Sequence, residues 1–312
     1  MNIGVVGVGT MGKNHVRIYS ELKDVEKVFI HDVNSDAAVK AAEKYEKGVI
    51  VCDSVDSLLD NVDAVSICTS TKDHFSTARK AIEKGINCLI EKPVSLTSQE
   101  GEELLKSLKN DVIVGVGHIE RFNPVMREIK GLLKRPRYIE VKRHNPASLR
   151  IVDADVVLDL MIHDIDLIWN YLMNGDSYRI YTFWDDDLCK VIARFNDCTV
   201  SISASRLACR KIRNIYIEDE DFSIDGDFMT HDVYIYRKPQ KYGEADSRYM
   251  QENIISKVLV NKVEPLKEEL KTFIGCVQEG RPFPVTVGQA VENLRIVEEI
   301  KKRGKKTPDG GY

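Results

Sequence analysis

A glycine-rich segment near the N-terminus has the spacing of a phosphate-binding turn. Residues 7–12 read Gly-Val-Gly-Thr-Met-Gly, and they lie between an apolar run at residues 2–8 and a helical pattern. Glycines often form turns that bind nothing, but here Gly7 would permit the tight turn and Gly9 would let the backbone approach a pyrophosphate. Gly12 would let the helix pack closely on the strand, with the helix N-terminus facing the anion.

An acidic residue follows this loop at the distance that a dinucleotide site requires. Asp32 comes 20 residues after Gly12, at the end of a second apolar run. A carboxylate there can accept hydrogen bonds from both ribose hydroxyls, and it would repel a 2′-phosphate. No arginine follows it, so the sequence predicts NAD rather than NADP. The residues expected to bind the cofactor in this region are Gly7, Gly9, Thr10, Met11, Gly12 and Asp32.

Glu91-Lys92-Pro93 directly follows another apolar run, at residues 86–90. The carboxyl ends of strands in an open parallel sheet form the crevice where ligands bind. A lysine there could reach a substrate oxygen, and its charge would stabilise an alkoxide while hydride leaves the carbon. The alternative is a solvated lysine before a turn proline, which is how most Lys-Pro pairs are interpreted.

Asp159, His163 and Asp166 occupy positions i, i+4 and i+7, which share one face of a helix. Histidine titrates near neutrality and could accept a hydroxyl proton, and Asp159 could hold its ring. The spacing alone favours the other interpretation, a hydrogen-bonded helix histidine with charges at its margin.

The elements that must position these residues divide the chain in two. Over residues 1–120, strands alternate with short helices, which predicts parallel βαβ units with helices on both faces of one sheet. Thr71 could cap one helix, and Thr97 with Glu100 has the spacing of a capping box for the next. Strands are expected at residues 2–8, 25–31, 64–69, 86–90 and 112–116, and helices at 10–22, 36–45, 71–84 and 97–109.

Closely spaced alternating runs over residues 121–312 predict a mostly antiparallel sheet with flanking helices. Strands are expected at residues 137–143, 178–184, 190–195, 199–204, 213–217 and 233–237, and helices at 157–173, 265–278 and 287–303. A mobile loop is expected at 239–246 and a disordered tail at 307–312. The predicted fold class is α/β, with an N-terminal doubly wound Rossmann domain and a C-terminal α+β domain whose antiparallel sheet is open.

Composition excludes several classes of partner. A formal charge of −4 and a pI near 6.0 argue against nucleic acid, which would require a net basic face. No run approaches the roughly 20 apolar residues of a membrane span, and Met1 runs directly into a strand-like segment without a signal peptide. The seven cysteines are odd in number and never spaced CxxC, which disfavours disulfides and zinc and predicts a cytoplasmic protein.

The ordered motifs resemble those of the glucose–fructose oxidoreductase/inositol dehydrogenase/rhizopine catabolism (Gfo/Idh/MocA) family along nearly the full length of the chain. The segments that carry the resemblance are residues 7–12, 69–71 with His74, 91–93, 117–118 with 121–124, and 159–166. Two departures affect local backbone shape and substrate fit. Residues 153–156 and Met161 stand where relatives often have glycine, and Ser70 stands where proline is frequent.

The resemblance implies roles for individual residues. Lys92 would be the catalytic lysine, before a cis proline, while Asp159 and His163 would be the acid/base pair. Which of Lys92 and His163 is the base remains open. The residues implied to lie along the cofactor are Thr69, Thr71 and His74, with Glu91 and Asn123 near its nicotinamide end. No metal is expected.

Within the family, residues 117–124 and 264–273 most resemble sugar-nucleotide members, especially the archaeal UDP-N-acetylglucosamine 3-dehydrogenases. This implies oxidation of the 3-hydroxyl to a 3-keto sugar with reduction of NAD. The candidates to bind the diphosphate, each equally consistent with an ordinary surface arginine, are Arg143, Arg150, Arg206 and Arg210.

Two other functions compete with this one. A free polyol or inositol dehydrogenase would use the same chemistry, and the family also contains non-enzymatic dinucleotide-binding regulators. Retention of Lys92, Asp159 and His163 argues against a regulator, which has no use for an acid/base set. The resemblance further implies a homodimer or homotetramer that assembles through the open face of the C-terminal sheet.

Overall fold

The computed structural model describes residues 1–45, 48–146, 155–174, 177–238, 242–245, 248–251 and 254–304. The chain forms two compact units, Met1–Phe122 with Glu264–Arg295, and Asn123–Val263 with Ile296–Tyr312. The predicted division at residue 120 placed residues 264–295 in the second domain, whereas in the structure this segment packs with the first unit. The predicted tail at 307–312 and part of the predicted loop at 239–246 lie outside the described residues.

The first unit contains a six-stranded parallel sheet in the order β3-β2-β1-β4-β5-β6. Its strands are β1 (Asn2–Val6), β2 (Lys27–His31), β3 (Val49–Val51), β4 (Ala64–Ile67), β5 (Asn87–Glu91) and β6 (Val114–Gly117). Consecutive strands run outwards to β3 and then cross back to β4, so the strand order reverses between β1 and β4. This reversal opens a crevice at the carboxyl ends of the strands, and the predicted Rossmann fold is confirmed.

Five helices connect these strands: α1 (Thr10–Glu21), α2 (Ser35–Ala42), α3 (Val55–Leu59), α4 (Thr71–Glu83) and α5 (Ser98–Lys106). Thr97 is the N-cap of α5, since its hydroxyl accepts the Glu100 N–H at 3.2 Å. The predicted capping box is only half formed, because the Glu100 carboxylate accepts the Leu96 N–H at 3.1 Å instead of that of Thr97. The prediction that Thr71 caps α4 is wrong, since Ser70 occupies the N-cap and Thr71 is the first helical residue. β3 and α3 were not predicted from the sequence, because they are too short to show a periodic pattern.

The second unit contains an eight-stranded sheet in the order β16-β13-β12-β11-β7-β10-β9-β8, and its strand pairs are antiparallel except for β7 with β10. Its strands are β7 (Tyr138–His144), β8 (Tyr178–Trp184), β9 (Leu188–Phe195), β10 (Cys198–Ser205), β11 (Ile212–Glu218), β12 (Phe222–Asp227), β13 (Asp232–Arg237) and β16 (Ile254–Lys257). A separate hairpin pairs β14 (Tyr242–Ala245) with β15 (Arg248–Gln251), where the sequence analysis expected a loop. The mostly antiparallel sheet is confirmed.

Alternation along the strands gives this sheet one buried face. In β7, Ile139, Val141 and Arg143 are buried, while the residues between them are partly exposed. The helix α6 (Pro124–Leu132) packs on the buried side, where Gly226 leaves room for Ile129.

The segment predicted as one helix over residues 157–173 is helical but not regular. It consists of a π-helical stretch (Val157–Met161), the α-helical turn α7 (Ile162–Ile165) and a second π-helical stretch (Asp166–Leu172). Asp155 starts it, since Oδ1 accepts the N–H groups of Val157 and Leu158 at 3.0 and 2.9 Å. π-Helical turns hold more residues than α-helical turns and often occur at functional sites. Of the three residues predicted to share one face, Asp159 and His163 are partly exposed and Asp166 is buried.

The last two helices are α8 (Pro265–Glu279) and α9 (Val287–Arg303). Proline opens α8, and Thr286 and Gln289 form a reciprocal capping box at the start of α9. Across the described residues, no helix has both the length and the apolar character needed to cross a membrane. All seven cysteines are free thiols.

Candidate functional site

Two glycines of the loop between β1 and α1 are required by close backbone contacts. Gly7 adopts φ +89°, and a Cβ there would lie 2.6 Å from the carbonyl oxygen of Cys68. A Cβ on Gly12 would lie 1.8 Å from the carbonyl oxygen of Gly7. Gly9 differs, because a Cβ there would meet no atom within 4 Å. The N-terminus of α1 has no side-chain cap, so its N–H groups and the open side of Gly9 can accept an anion.

Both carboxylate oxygens of Asp32 are oriented by backbone groups. Oδ2 accepts the Val8 N–H at 2.7 Å, and Oδ1 accepts the Asn34 N–H at 2.9 Å. A carboxylate oxygen can accept more than one hydrogen bond, so each oxygen retains capacity for a ribose hydroxyl. Asp32 also ties the glycine loop to the end of β2, since Val8 lies within that loop.

These residues surround one cavity of about 510 Å³. The predicted cofactor residues that line it are Gly7, Gly9, Asp32 and Thr69. Thr10 and Met11 form the first turn of α1 beside it, and Thr71 begins α4. The open glycine, the uncapped helix and the oriented carboxylate fit the pyrophosphate and ribose of a dinucleotide.

His74 is buried beside the turn that carries Lys92. Its Nδ1 lies 2.7 Å from the carbonyl oxygen of Pro93, and its Nε2 lies 3.1 Å from that of Thr69. Burial lowers the pKa of His74, although both carbonyl groups favour the protonated ring. A neutral ring donates from one nitrogen only, and the shorter contact assigns that hydrogen bond to Pro93.

Glu91 ends β5 and lies below the same turn, in which the Lys92-Pro93 peptide is cis as the resemblance implies. Its Oε1 lies 2.9 Å from His15 Nε2, and its Oε2 accepts the Lys92 N–H at 3.3 Å. Burial raises the pKa of Glu91, but the hydrogen bond and charge of His15, followed by the charge of Lys92, lower it to below its usual value. Gly117 leaves room for this carboxylate, because a Cβ there would lie 3.2 Å from Oε1.

A second buried carboxyl group belongs to Glu269 on α8, which is 0% exposed. Burial, followed by the negative charge of Glu91, raises the pKa of Glu269 well above its usual value. Among the described residues, neither of its oxygens has a hydrogen-bond partner. These effects favour an ionised Glu91 beside a neutral Glu269 acid, since two buried negative charges would repel each other.

Asp159 and His163 lie in the irregular helical segment of the second unit, and both are partly exposed. Arg206, just beyond β10, donates from Nη2 to Asp159 Oδ2 at 3.2 Å. The side chain of Arg206 is only 12% exposed and that of Asp159 only 14%. The carboxylate that the sequence analysis assigned to orient His163 is thus itself held by an arginine.

A second arginine holds the residue that follows His163. Arg143 donates from Nε to both carboxylate oxygens of Asp164 at 3.0 Å, and from Nη2 to Oδ1 at 2.7 Å. Their side chains are 1% and 0% exposed, so Arg143 is neither a diphosphate ligand nor a surface arginine. Because Ala204 pairs with Arg143 in parallel register, Arg143 and Arg206 extend from the same end of adjacent strands.

The remaining predicted residues have simpler surroundings. Asn123 is buried and caps α6, with Oδ1 accepting the Val125 N–H at 3.1 Å. Its proposed place near the nicotinamide remains a prediction. Of the other candidate arginines, Arg210 is exposed and Arg150 lies outside the described residues.

Four residues of these networks were not identified from the sequence: His15, Asp164, Arg206 as a partner of Asp159, and Glu269. For His15 a signal existed, since a histidine lies four residues before Tyr19 on the buried face of α1. Lys92 belongs to the first unit, and Asp159 and His163 belong to the second. Within the described part of the chain, no three His, Cys, Asp or Glu side chains form a group that could hold a metal ion.

Comparisons with known proteins agree with this geometry. A family model described as an oxidoreductase family with an NAD-binding Rossmann fold (GFO_IDH_MocA) matches residues 1–121. UDP-N-acetylglucosamine 3-dehydrogenase of Acidithiobacillus ferrooxidans is 31% identical over 297 residues, covering 90% of both proteins. Myo-inositol 2-dehydrogenase of Thermotoga maritima is 25% identical over 311 residues, covering 92% of this chain and 91% of that protein.

A solved structure of the Acidithiobacillus enzyme matches the fold with a TM-score of 0.86 at 28% identity, covering 97% of each chain. The motifs of this chain resemble archaeal members in particular, whereas this relative is bacterial. Similarity above 30% identity extends over nearly the whole chain and includes both units. The chain therefore belongs to the Gfo/Idh/MocA family of oxidoreductases, whose N-terminal domain is an NAD-binding Rossmann fold.

Proposed function

We propose that this protein oxidises the 3-hydroxyl of UDP-N-acetylglucosamine to the 3-keto sugar nucleotide, with NAD as the hydride acceptor. The observation that carries the proposal is the 31% identity, over 90% of both chains, to an enzyme named for this reaction. The chain also has a lysine directly after β5, and it has His163 in a segment whose carboxylates Asp159 and Asp164 are held by arginines. These groups suit the oxidation of a secondary alcohol.

The preference for NAD rests on the end of β2. Asp32 presents two backbone-oriented carboxylate oxygens, and the next residues are Val33, Asn34 and Ser35. The negative charge disfavours a 2′-phosphate, and none of these neighbours could neutralise that phosphate. When bound, NAD supplies the acceptor for the hydride.

In the proposed reaction, His163 accepts the proton of the hydroxyl group and Lys92 stabilises the negative charge that develops on its oxygen. Asp159 supports the positive charge that His163 gains, and Arg206 fixes the position of that carboxylate. The proposal requires both residues to act on one hydroxyl. The opposite assignment, with Lys92 as the base, uses the same groups.

The nucleotide would contribute through binding rather than through chemistry. Its diphosphate is remote from the reacting carbon, so its binding energy would orient the sugar ring. Since Arg143 is buried and Arg206 is engaged by Asp159, the exposed Arg210 is the remaining described candidate from the original four.

A free polyol or inositol is the second candidate substrate. It is supported by the 25% identity to myo-inositol 2-dehydrogenase over 311 residues. A non-enzymatic NAD-binding regulator is the third interpretation, and it would have no need for Lys92, Asp159 and His163.

The test incubates the protein with NAD and each of UDP-N-acetylglucosamine, free N-acetylglucosamine and myo-inositol. A coupled transaminase removes the keto product, because the equilibrium of this oxidation is expected to be unfavourable. NADH formation, product mass and NMR then locate the new carbonyl. Turnover of myo-inositol without oxidation of the sugar nucleotide would overturn the proposed substrate.

The roles are tested with Lys92→Ala and His163→Ala. Loss of a general base typically lowers the rate by about 10²–10⁴-fold, so turnover should fall in these variants. Each variant should still bind NAD. If both variants bound NAD and kept near-normal turnover, the enzymatic interpretation would give way to the regulator.

We also propose a homodimer or homotetramer in the cytoplasm. On the open face of the second sheet, Tyr181 is 66% exposed and Phe183 is 77% exposed. A second copy of the chain packed on this face would cover both side chains. Sedimentation of the wild type and of Phe183→Lys tests this assembly, because a charge on a covered face should dissociate it.

A further inference from the structure

Buried histidines contact the residues on both sides of Lys92. His15 on α1 places Nε2 2.9 Å from Glu91 Oε1. His74 on α4 places Nδ1 2.7 Å from the carbonyl oxygen of Pro93. The two histidines are 0% and 1% exposed. The residue before Lys92 and the residue after it are therefore each held by a different helix.

The acceptors determine which nitrogen of each ring carries hydrogen. An ionised carboxylate and a backbone carbonyl only accept hydrogen bonds. His15 must therefore present Nε2–H to Glu91. Both ring nitrogens of His74 face carbonyl oxygens, and the shorter contact, 2.7 Å to Pro93 against 3.1 Å to Thr69, assigns the hydrogen to Nδ1. Glu91 links His15 to the backbone of the lysine, because its Oε2 accepts the Lys92 N–H at 3.3 Å.

Both helices also begin at the proposed dinucleotide site. The glycine loop leads into α1, and α4 follows Thr69, which lines the same cavity and whose carbonyl oxygen lies 3.1 Å from His74 Nε2. Each histidine lies within the second turn of its helix. The elements that surround the cofactor are thus connected by hydrogen bonds to the turn that carries Lys92.

We propose that His15 and His74 are positioning residues that fix Lys92 relative to the dinucleotide-binding loop. This rests on the proposed role of Lys92 in turnover. Neither histidine needs to touch the substrate, and each acts through a neighbour of the lysine. Because the two use different ring nitrogens, they should tolerate different substitutions.

The choice of substitutions follows from the different ring nitrogens that His15 and His74 use. The amide nitrogen of glutamine occupies roughly the place of Nε2, and that of asparagine the place of Nδ1. His15→Gln and His74→Asn should therefore keep most of the activity, whereas the exchanged variants His15→Asn and His74→Gln should lose it. His15→Leu and His74→Leu should each lower kcat by roughly 10²-fold, since small displacements of a catalytic group have effects of that size. The KM for NAD should stay within about threefold of the wild-type value, which is a small change compared with the expected fall in kcat.

A second readout requires no substrate. Lys92 is labelled with pyridoxal 5′-phosphate and borohydride, and peptide mass spectrometry compares its labelling rate with that of Lys84, a partly exposed lysine at the end of α4. The ratio should change in the leucine and exchanged variants and stay at the wild-type value in His15→Gln and His74→Asn. Thermal unfolding identifies variants that fail to fold. If the leucine variants do not fold, the comparison of the glutamine and asparagine variants tests the proposal.

Equal kcat and equal labelling ratios in matched and exchanged variants would overturn the proposal. A uniform loss in all variants, including His15→Gln and His74→Asn, would also overturn it, since it would indicate general loss of packing. If the wild type did not oxidise UDP-N-acetylglucosamine but the labelling ratios followed the expected pattern, the proposed substrate would fail and the positioning role would stand.

Discussion

The two regions that supply the proposed catalytic residues are held in different ways. Lys92 follows a regular strand, and its neighbours Glu91 and Pro93 are held by histidine hydrogen bonds. His163 lies in an irregular helical segment, with ion pairs at positions 159 and 164. The first region places a single buried negative charge beside a neutral acid, and the second pairs each of two carboxylates with an arginine.

The two regions differ in the kind of contact that holds the residues around the proposed catalytic side chain. Around Lys92, the partners are histidines of two helices, 76 residues away for His15 with Glu91 and 19 for His74 with Pro93, and the contacts are hydrogen bonds from ring nitrogens. Around His163, the partners are likewise distant in sequence, 21 residues away for Arg143 with Asp164 and 47 for Arg206 with Asp159, but the contacts are ion pairs. A motif with intact catalytic side chains can thus lose its shape through a substitution far from it.

The largest expected effect is on the buried ion pair of the second region. Arg143→Met leaves the Asp164 charge buried without its partner and should cost about 3–5 kcal/mol of unfolding free energy. Both tryptophans, Trp169 and Trp184, belong to the second unit. Denaturant titration followed by tryptophan fluorescence therefore reports on that unit.

Arg135→Met is the matched control for Arg143→Met, because Arg135 pairs with Glu220 at the surface of the same unit. Exposed pairs contribute at most about 1 kcal/mol. Equal shifts for the two variants would contradict the claim that the buried pair holds the segment around His163.

The next effect concerns the first region. Asp32→Ala should weaken NAD binding by roughly 10–100-fold, the worth of hydrogen bonds to a charged group, and should narrow the preference for NAD over NADP. Isothermal titration with both cofactors measures this, with Asp36→Ala in the exposed first turn of α2 as the control. A wild type that prefers NADP would contradict the proposed ribose site.

A smaller effect is expected at Arg206. Arg206→Met should lower kcat by roughly tenfold, within the range for losing a hydrogen bond to a charged group, while NAD binding stays unchanged. Steady-state kinetics with the exposed Arg210→Met as control would separate two roles. A rise in KM for the sugar nucleotide at constant kcat would show that Arg206 binds diphosphate instead of holding Asp159.

The smallest effect concerns Glu269. Its pKa is raised in the folded state, so the native protein keeps a proton that the unfolded chain releases above the usual value of 4.5. Stability from this group is therefore lost as pH rises above 4.5 towards the folded pKa. Glu269→Gln imitates the neutral acid and should raise Tm by roughly 2–4 °C at pH 8, the effect of about 1 kcal/mol.

This gain should shrink as the pH falls towards 5, where both states of the wild type bind the proton more fully. Differential scanning calorimetry from pH 5 to pH 8 measures the trend, with the exposed Glu43→Gln as control. A loss of stability in Glu269→Gln at pH 8 would indicate that the buried carboxylate is ionised.

By itself, the sequence determined the Rossmann fold, the glycine loop and the position of Asp32. The signals for these features lie in short motifs and in the strand periodicity that burial imposes, although the contacts that complete them join distant residues, such as Val8 with Asp32. It also determined the mostly antiparallel second sheet, because one buried face requires alternation along β7. The resemblance identified the segments that contain Lys92, Asp159 and His163.

Only the tertiary structure decided how those side chains are held. Alternation along β7 puts Arg143 on the face of Ile139 and Val141, but no local pattern could show that Asp164 is the partner that makes its burial possible. The π-helical turns, the return of α8 to the first unit and the buried Glu269 likewise depend on contacts between distant segments. A buried charge becomes favourable only where its partner is placed, and that placement is a property of the folded chain.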